Sequence, residues 1–121
     1  MTELKKWHVL VVEDDKKLLQ LYEHQVKVLH DTVVELCSDA VQAIYKFHAS
    51  QNKYDLIITD QNMPCFGSDL IKQIRHERPE QKIAILTGVR NLNLDSEFRD
   101  VQIFQKPANV ADVIEKLKKA S

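Results

Sequence analysis

The sequence has few residues of the kinds that interrupt or cross-link a chain. Its 121 residues include only 2 glycines, 3 prolines and 2 cysteines. So few glycines and prolines exclude low-complexity segments and flexible linkers. The two cysteines, Cys37 and Cys65, form no recognisable metal or disulfide framework. We therefore expect a single domain over residues 1–121, with its core at about 8–119.

The sequence also lacks long apolar runs and an excess of either charge. No run approaches the ~18 apolar residues that a membrane span needs, and the first residues lack the apolar stretch of a signal peptide. The formal net charge is -1, so no field of one sign points to nucleic acid or to a membrane surface. We expect a protein of the reducing cytoplasm that contacts neither nucleic acid nor membrane.

What the sequence does contain is an alternation of short apolar runs with amphipathic stretches. The apolar runs predict strands at 8–12, 33–37, 54–59, 82–87 and 101–105. The amphipathic stretches predict helices over 16–30, from Ser38 or Asp39 to about Ser50, from Ser68 or Asp69 to Pro79, and after Asn109. Polar residues interrupt the segment 89–100, which predicts a short or irregular helix there.

This alternation favours an α/β fold. Five strand–helix repeats are typical of a parallel sheet with helices on both faces, which gives a doubly wound three-layer sandwich. Right-handed crossovers bring the carboxyl ends of all strands to one edge, where such folds bind ligands. Five polar residues end or follow the predicted strands: Glu13, Asp14, Asp60, Thr87 and Lys106. We therefore expect these five residues to meet at that edge.

Three of the five residues are acids, and their convergence requires a cation. Two like charges ~4 Å apart repel by about 4 kcal/mol at an effective dielectric near 20, so the acids must bind cations or take up protons. Lys106 supplies one positive charge, and a divalent ion would supply two. A small set of oxygen ligands favours Mg²⁺, which keeps several waters and shares phosphate oxygens.

The same residues suit the acceptance of a phosphoryl group. Aspartyl phosphates are known covalent intermediates, and phosphoryl transfer depends mainly on positioning and electrostatics. Asp60 would accept the group, whose oxygens would be bound by the metal, by Lys106 and by the hydroxyl of Thr87. Gly88 has no side chain and leaves room for the incoming group.

Four short motifs follow one another along the chain: Val11-Val12-Glu13-Asp14-Asp15, Asp60-Gln61-Asn62-Met63-Pro64, Thr87-Gly88 and Lys106-Pro107. Together they resemble the receiver domain of bacterial two-component response regulators, over about 8–119. The resemblance implies a five-stranded flavodoxin-like fold and a phosphoacceptor at Asp60. It implies Mg²⁺ bound by Glu13, Asp14, Asp60 and the backbone carbonyl of Asn62.

The resemblance also implies partners and a mode of action. A histidine kinase or a phosphotransfer protein would donate the phosphoryl group, and no external substrate would be turned over. Thr87 and Lys106 would bind the phosphoryl oxygens and couple the site to the fourth and fifth strands. No output domain remains in these residues, so we expect a single-domain regulator or one domain of a longer protein, acting on a downstream protein.

Three features depart from the family pattern. Ile103 stands three residues before Lys106, where the family often has an aromatic residue, and Phe104 lies beside it. Gly67 comes one place early in the loop that follows Pro64. The segment between Thr87 and Lys106 is short and polar. The short polar segment predicts an altered surface along the fourth helix, the fifth strand and the last helix.

Two other functions remain open at this point. The first is a binding module with this fold that works without phosphorylation, which Ile103 favours. The second is a Mg²⁺-dependent phosphatase with an aspartyl nucleophile, but such enzymes usually place a second acid where Asn62 stands. Three side chains have structural interpretations: Asp15 as a helix cap, Cys37 as a core residue and Trp7 as a packing residue. The five histidines share no ligand spacing.

Overall fold

The computed structural model describes residues 6–51, 53–61, 67–90, 92 and 98–120, and these form an α/β sandwich. Its strands are β1 (Trp7–Val12), β2 (Thr32–Cys37), β3 (Leu56–Asp60), β4 (Ile83–Thr87) and β5 (Gln102–Gln105). Its helices are α1 (Lys16–Gln25), α2 (Ala40–Ala49), α3 (Gly67–Glu77) and α4 (Val110–Lys119), and a 3₁₀ turn covers Val26–Val28. The predicted fold class is confirmed.

All strand pairs in the sheet are parallel, in the order β2-β1-β3-β4-β5. This is the strand order of flavodoxin-like folds. The register sets Asp60 opposite Leu86 and Thr87 opposite Gln105. The carboxyl ends of β1, β3, β4 and β5 therefore lie side by side along one edge of the sheet.

Successive strand residues point to opposite sides of the sheet, and helices cover both sides, so both faces of the sheet are buried. Leu10 and Ile57 pack on the side that α2 and α3 cover. Val9 and Val11 pack on the side that α1 and α4 cover. A strand buried on both faces is apolar along its whole length, which explains the short continuous apolar runs of the sequence.

In the described part of the chain, α1, α2 and α4 each begin after a polar residue that caps their first turn. Asp15, Asp39 and Asn109 accept hydrogen bonds from backbone N–H groups of α1, α2 and α4, at 2.7–3.2 Å. Each such cap stabilises a helix by about 1 kcal/mol. The interpretation of Asp15 as a cap is confirmed, and of the two residues predicted to begin the second helix, Asp39 caps it.

The first helix is shorter than the predicted 16–30. It ends at Gln25, a 3₁₀ turn follows, and Leu29 is extended. The prediction was wrong because Val26 and Leu29 still pack against the core, so the apolar spacing continues past the helix end. Valines at 26 and 28 also lower helix propensity, since their branched side chains crowd the preceding turn.

Residues 91 and 93–97 of the predicted helix over 89–100 lie outside the described residues, as do Asn62 and Cys65. The helices of the described chain are ten or eleven residues long, whereas crossing a bilayer takes about 20 residues. No helix in these ranges has the length and apolar character that a membrane span requires.

Candidate functional site

Three acids converge at the carboxyl edge of the sheet. Glu13 and Asp14 directly follow β1, and Asp60 is the last residue of β3. Carboxylate oxygens of these three residues all lie within 4.8 Å of one another. Glu13 and Asp60 are buried, at 1% and 3% exposure, and Asp14 is the more exposed member. The convergence expected from the sequence is confirmed for these residues.

The amine of Lys106 joins this cluster from the end of β5. Its Nζ donates hydrogen bonds to Oε1 of Glu13 at 3.0 Å and to Oδ1 of Asp60 at 2.9 Å. The backbone N–H of Lys106 donates to the carbonyl oxygen of Thr87 at 2.7 Å, which holds the lysine beside the end of β4. One lysine therefore bridges two buried carboxylates that belong to different strands.

Burial and charge act against each other in this cluster. Burial raises the pKa of Glu13, the hydrogen bond from Lys106 acts to lower it, and Asp60 acts to raise it, which together bring this pKa to about 7. Burial alone would lower the pKa of Lys106, but its hydrogen bonds to Asp60 and Glu13 outweigh burial and raise that pKa. The cluster thus holds more negative than positive charge, and a further cation would stabilise it.

Tyr22 is a contributor that the sequence did not reveal. Its place at an apolar position of the predicted helix over 16–30 indicates a core residue, and it is buried at 1% exposure. Burial raises the pKa of Tyr22 to about 12, and its hydroxyl also interacts with the carboxylate of Glu13. A tyrosine at an apolar helix position was the available signal, since a buried tyrosine hydroxyl usually has a hydrogen-bond partner.

Thr87 lies at the end of β4, next to the strand that carries Asp60, and is fully buried. Its hydroxyl oxygen accepts a hydrogen bond from the backbone N–H of Val89 at 3.0 Å. A Cβ placed on Gly88 would meet no heavy atom of the surrounding described chain within 4 Å. The space beside Gly88 is therefore open, as the sequence predicted.

The remaining residues singled out from the sequence have structural surroundings. Cys37 is buried in the core, and burial raises the pKa of its thiol to about 12, which suits an unreactive side chain. Lys82 lies 5.5 Å from the ring centre of Trp7, and that ring packs partly against the core. Ile103 is 37% exposed on the edge strand, while Phe104 packs against the core beside Lys116.

The donor set of the cluster fits a hard divalent cation. Glu13, Asp14 and Asp60 offer oxygen ligands only, close enough together to share one ion. Mg²⁺ prefers oxygen ligands and is usually bound through a few carboxylates, with water completing its shell. The acids that the sequence predicted as metal ligands are therefore brought together. Asn62, whose carbonyl the family resemblance implies as a ligand, lies outside the described residues.

The fold and the cluster define a flavodoxin-like α/β protein with an anionic site at the carboxyl edge of its sheet. Residues 9–118 match the response regulator receiver domain family, and the chain belongs to that family. Receiver domains are signalling modules of two-component systems.

Solved structures of receiver domains share this fold. The chemotaxis protein CheY4 of Vibrio cholerae superimposes with a TM-score of 0.80 at 24% identity, over 96% of this chain and 99% of CheY4. The response regulator TrrA of Thermotoga maritima, solved in complex with Mg²⁺ and BeF, superimposes with a TM-score of 0.79 at 25% identity, over 95% of this chain and 99% of TrrA.

One relative of this chain is a much larger protein. The sensor protein EvgS of Escherichia coli K12 is 34% identical over 89 residues. That match covers 73% of this chain but 7% of EvgS. The chain therefore corresponds to a small part of EvgS.

Proposed function

We propose that this chain is a phosphoacceptor domain of a two-component phosphorelay, in which Asp60 takes a phosphoryl group from a histidine kinase or a phosphotransfer protein. One observation carries the proposal: the amine of Lys106 lies 3.0 Å from Glu13 and 2.9 Å from Asp60, within a cluster that includes Asp14. Such a cluster suits a divalent cation together with a phosphoryl group. Membership in the receiver domain family supports the same function.

The proposed transfer is a displacement at phosphorus. A carboxylate oxygen of Asp60 forms the new P–O bond while the P–N bond of a phosphohistidine breaks, and the departing imidazole nitrogen takes up a proton. Lys106 places its positive charge beside the phosphoryl oxygens, and the hydroxyl of Thr87 donates to one of them. The burial of Asp60, at 3% exposure, limits the access of water to the acyl phosphate that forms.

Glu13, Asp14 and Asp60 would hold Mg²⁺ through their carboxylate oxygens, with the backbone carbonyl of Asn62 as a further ligand that the family resemblance implies. A bound Mg²⁺ supplies positive charge that offsets the charge of the phosphoryl oxygens. The complex of TrrA with Mg²⁺ and BeF supports this assignment.

We infer that the domain acts in the cytoplasm, where histidine kinases draw on ATP, and that it contacts neither nucleic acid nor membrane itself. EvgS is a sensor protein, which supports a role of this domain in signalling. The charge added at Asp60 would bias the ends of β4 and β5 between two arrangements. A downstream protein, or an output domain of a longer chain, would read that change.

Labelling by a small phosphodonor such as phosphoramidate tests the acceptor. Wild-type protein is expected to incorporate a phosphoryl group with Mg²⁺ and not with EDTA, and Asp60→Asn is expected to lose this labelling because an amide oxygen is a poor nucleophile. The matched control is Asp15→Asn, the same substitution at a nearby acid that caps α1. It should label as the wild type does, since asparagine caps helices about as well as aspartate. Labelling that survives Asp60→Asn would remove Asp60 from its proposed role.

A further inference from the structure

The loop that follows β4 is held to the end of β5 by a side chain that the proposed transfer does not use. Nε2 of Gln105 donates a hydrogen bond to the carbonyl oxygen of Val89 at 2.9 Å. The N–H of the same Val89 donates to the hydroxyl oxygen of Thr87 at 3.0 Å. Val89 therefore links the exposed side chain of Gln105 to the buried hydroxyl of Thr87.

The direction of these two hydrogen bonds is set by chemistry. A carbonyl oxygen can only accept, so the amide nitrogen of Gln105 must face Val89. A threonine hydroxyl can accept and donate at once. Because the oxygen of Thr87 accepts from Val89, the hydroxyl hydrogen of Thr87 stays available for another acceptor.

The strand register explains why a glutamine fits this place. Thr87 pairs with Gln105 across β4 and β5, and the backbone N–H of Lys106 donates to the carbonyl of Thr87 at 2.7 Å. The backbone therefore fixes the main chain of Thr87, whereas the contact from Gln105 fixes the loop that orients its side chain. Gly88, which lies between Thr87 and Val89, has open space beside it and offers no side chain of its own to hold the loop.

We propose that Gln105 is a positioning residue of the phosphoryl site, which acts through Val89 to hold the Thr87 hydroxyl in the orientation that donates to a phosphoryl oxygen on Asp60. The inference rests on the proposed function. Gln105 does not touch the acids or the phosphoryl group, so its loss should leave metal binding unchanged. It should weaken the binding of a phosphoryl group or of its mimic, because the Thr87 donor is then no longer pre-organised.

The test compares Gln105→Met with Gln102→Met. Methionine has nearly the length of glutamine without its hydrogen-bonding groups, and Gln102 is an exposed residue of the same strand. Calorimetric titration would give the dissociation constants for Mg²⁺ alone and for beryllofluoride in saturating Mg²⁺. Gln105→Met should bind Mg²⁺ as the wild type does and beryllofluoride about threefold to tenfold more weakly, the equivalent of one ordinary hydrogen bond. Gln102→Met should match the wild type in both.

A double-mutant cycle with Thr87→Val identifies the route of the effect. If Gln105 acts through Thr87, then Gln105→Met should have little further effect in the Thr87→Val background. An undiminished loss in that background, an equal loss in Gln102→Met, or unchanged beryllofluoride affinity in Gln105→Met would each overturn the inference. Gln105→Glu, which keeps the side-chain length but places a charge against the Val89 carbonyl, should weaken beryllofluoride binding at least as much.

Failure of the proposed function and failure of the inference about Gln105 give different results. If wild-type protein neither binds beryllofluoride nor incorporates a phosphoryl group, the proposed function fails and the inference fails with it. If the wild type does both and Gln105→Met behaves identically, the inference alone fails.

Discussion

At the scale of single residues, the amine of Lys106 lies between two buried carboxylates. Its positive charge partly neutralises their negative charge. Lys106 donates to Glu13 at 3.0 Å and to Asp60 at 2.9 Å, and both of these acids are buried. Removing one member of such a group leaves the others buried without compensation, which costs more than the intact interaction contributes.

Lys106→Met is therefore expected to destabilise the metal-free protein. Methionine keeps the apolar part of the side chain but no charge, so Glu13 and Asp60 lose their shared cation. We expect the free energy of unfolding, measured by urea denaturation in EDTA, to fall by about 1–3 kcal/mol. Mg²⁺ should restore part of this loss, since it supplies the positive charge that the lysine no longer provides.

The control for this prediction is Lys118→Met. Lys118 pairs with the carboxylate of Asp31, whose side chain is 68% exposed, and such a surface pair contributes little to stability. Added Mg²⁺ should not rescue this variant. Equal losses in Lys106→Met and Lys118→Met, both indifferent to Mg²⁺, would contradict the electrostatic role of Lys106.

The sequence predicted the charged residues of the cluster but not Tyr22 and Gln105, which lie around them. Glu13, Asp60 and Lys106 could be placed together because each ends or follows a predicted strand. Tyr22 and Gln105 could not, because their contacts depend on rotamer and on reach across neighbouring elements. Tyr22 satisfied the apolar spacing of a helix, so nothing in the pattern showed that Glu13 would act on the pKa of its hydroxyl.

At the scale of elements, an arginine fork ties α3 to the segment that precedes β5. Nη2 and Nη1 of Arg75 contact the carboxylate of Asp100 at 2.8 and 3.3 Å, and Nε donates to the carbonyl of Gln81 at 2.9 Å. Paired contacts between a guanidinium and a carboxylate are stronger than a single hydrogen bond. Arg75 thus joins the end of α3 to the segments that precede β4 and β5.

This pair predicts a pH-dependent contribution to stability. The hydrogen bond from Arg75 lowers the pKa of Asp100 below its ordinary 3.8. The folded state therefore binds fewer protons than the unfolded state near that pH, so the contribution is present above 3.8 and is lost as the pH falls through the folded pKa. At pH 7 we expect Asp100→Asn to lower the free energy of unfolding by about 0.2–1 kcal/mol, because the carboxylate is largely exposed.

Urea denaturation of the wild type and of Asp100→Asn at several pH values tests this prediction. The difference between the two proteins should narrow as the pH is lowered toward about 3, where the unfolded carboxyl groups are protonated. A difference that stays constant over this range would show that Arg75 does not act through the charge of Asp100.

The sequence predicted the ends of strands and helices where a buried apolar run is bounded by a polar or capping residue. The strands lie within two residues of their predicted ends, and the central strands β3 and β4, whose apolar runs are buried on both faces of the sheet, show why such runs mark strands. Asn109 begins α4 as predicted, since its side chain caps the first turn. The end of α1 did not follow, because Val26 keeps the helical spacing of apolar residues while it lies in a 3₁₀ turn.

At the scale of the whole molecule, the site exists only in the folded chain. Lys106 is 46 residues from Asp60 and 93 residues from Glu13 along the sequence. Parallel strands with right-handed crossovers bring these distant positions to one edge, and this rule allowed the convergence to be predicted. The order in which the strands lie follows from the family resemblance, since the apolar pattern does not distinguish one strand order from another.

The most direct test of the account is to locate the phosphoryl group on the protein. After incubation with a phosphodonor and Mg²⁺, borohydride reduction converts an aspartyl phosphate to homoserine, and peptide mass spectrometry identifies the converted residue. We expect homoserine at position 60 and aspartate at positions 14, 15 and 55. Conversion at another aspartate, with Asp60 unmodified, would contradict the claim that the acids and the lysine at this edge form the acceptor site.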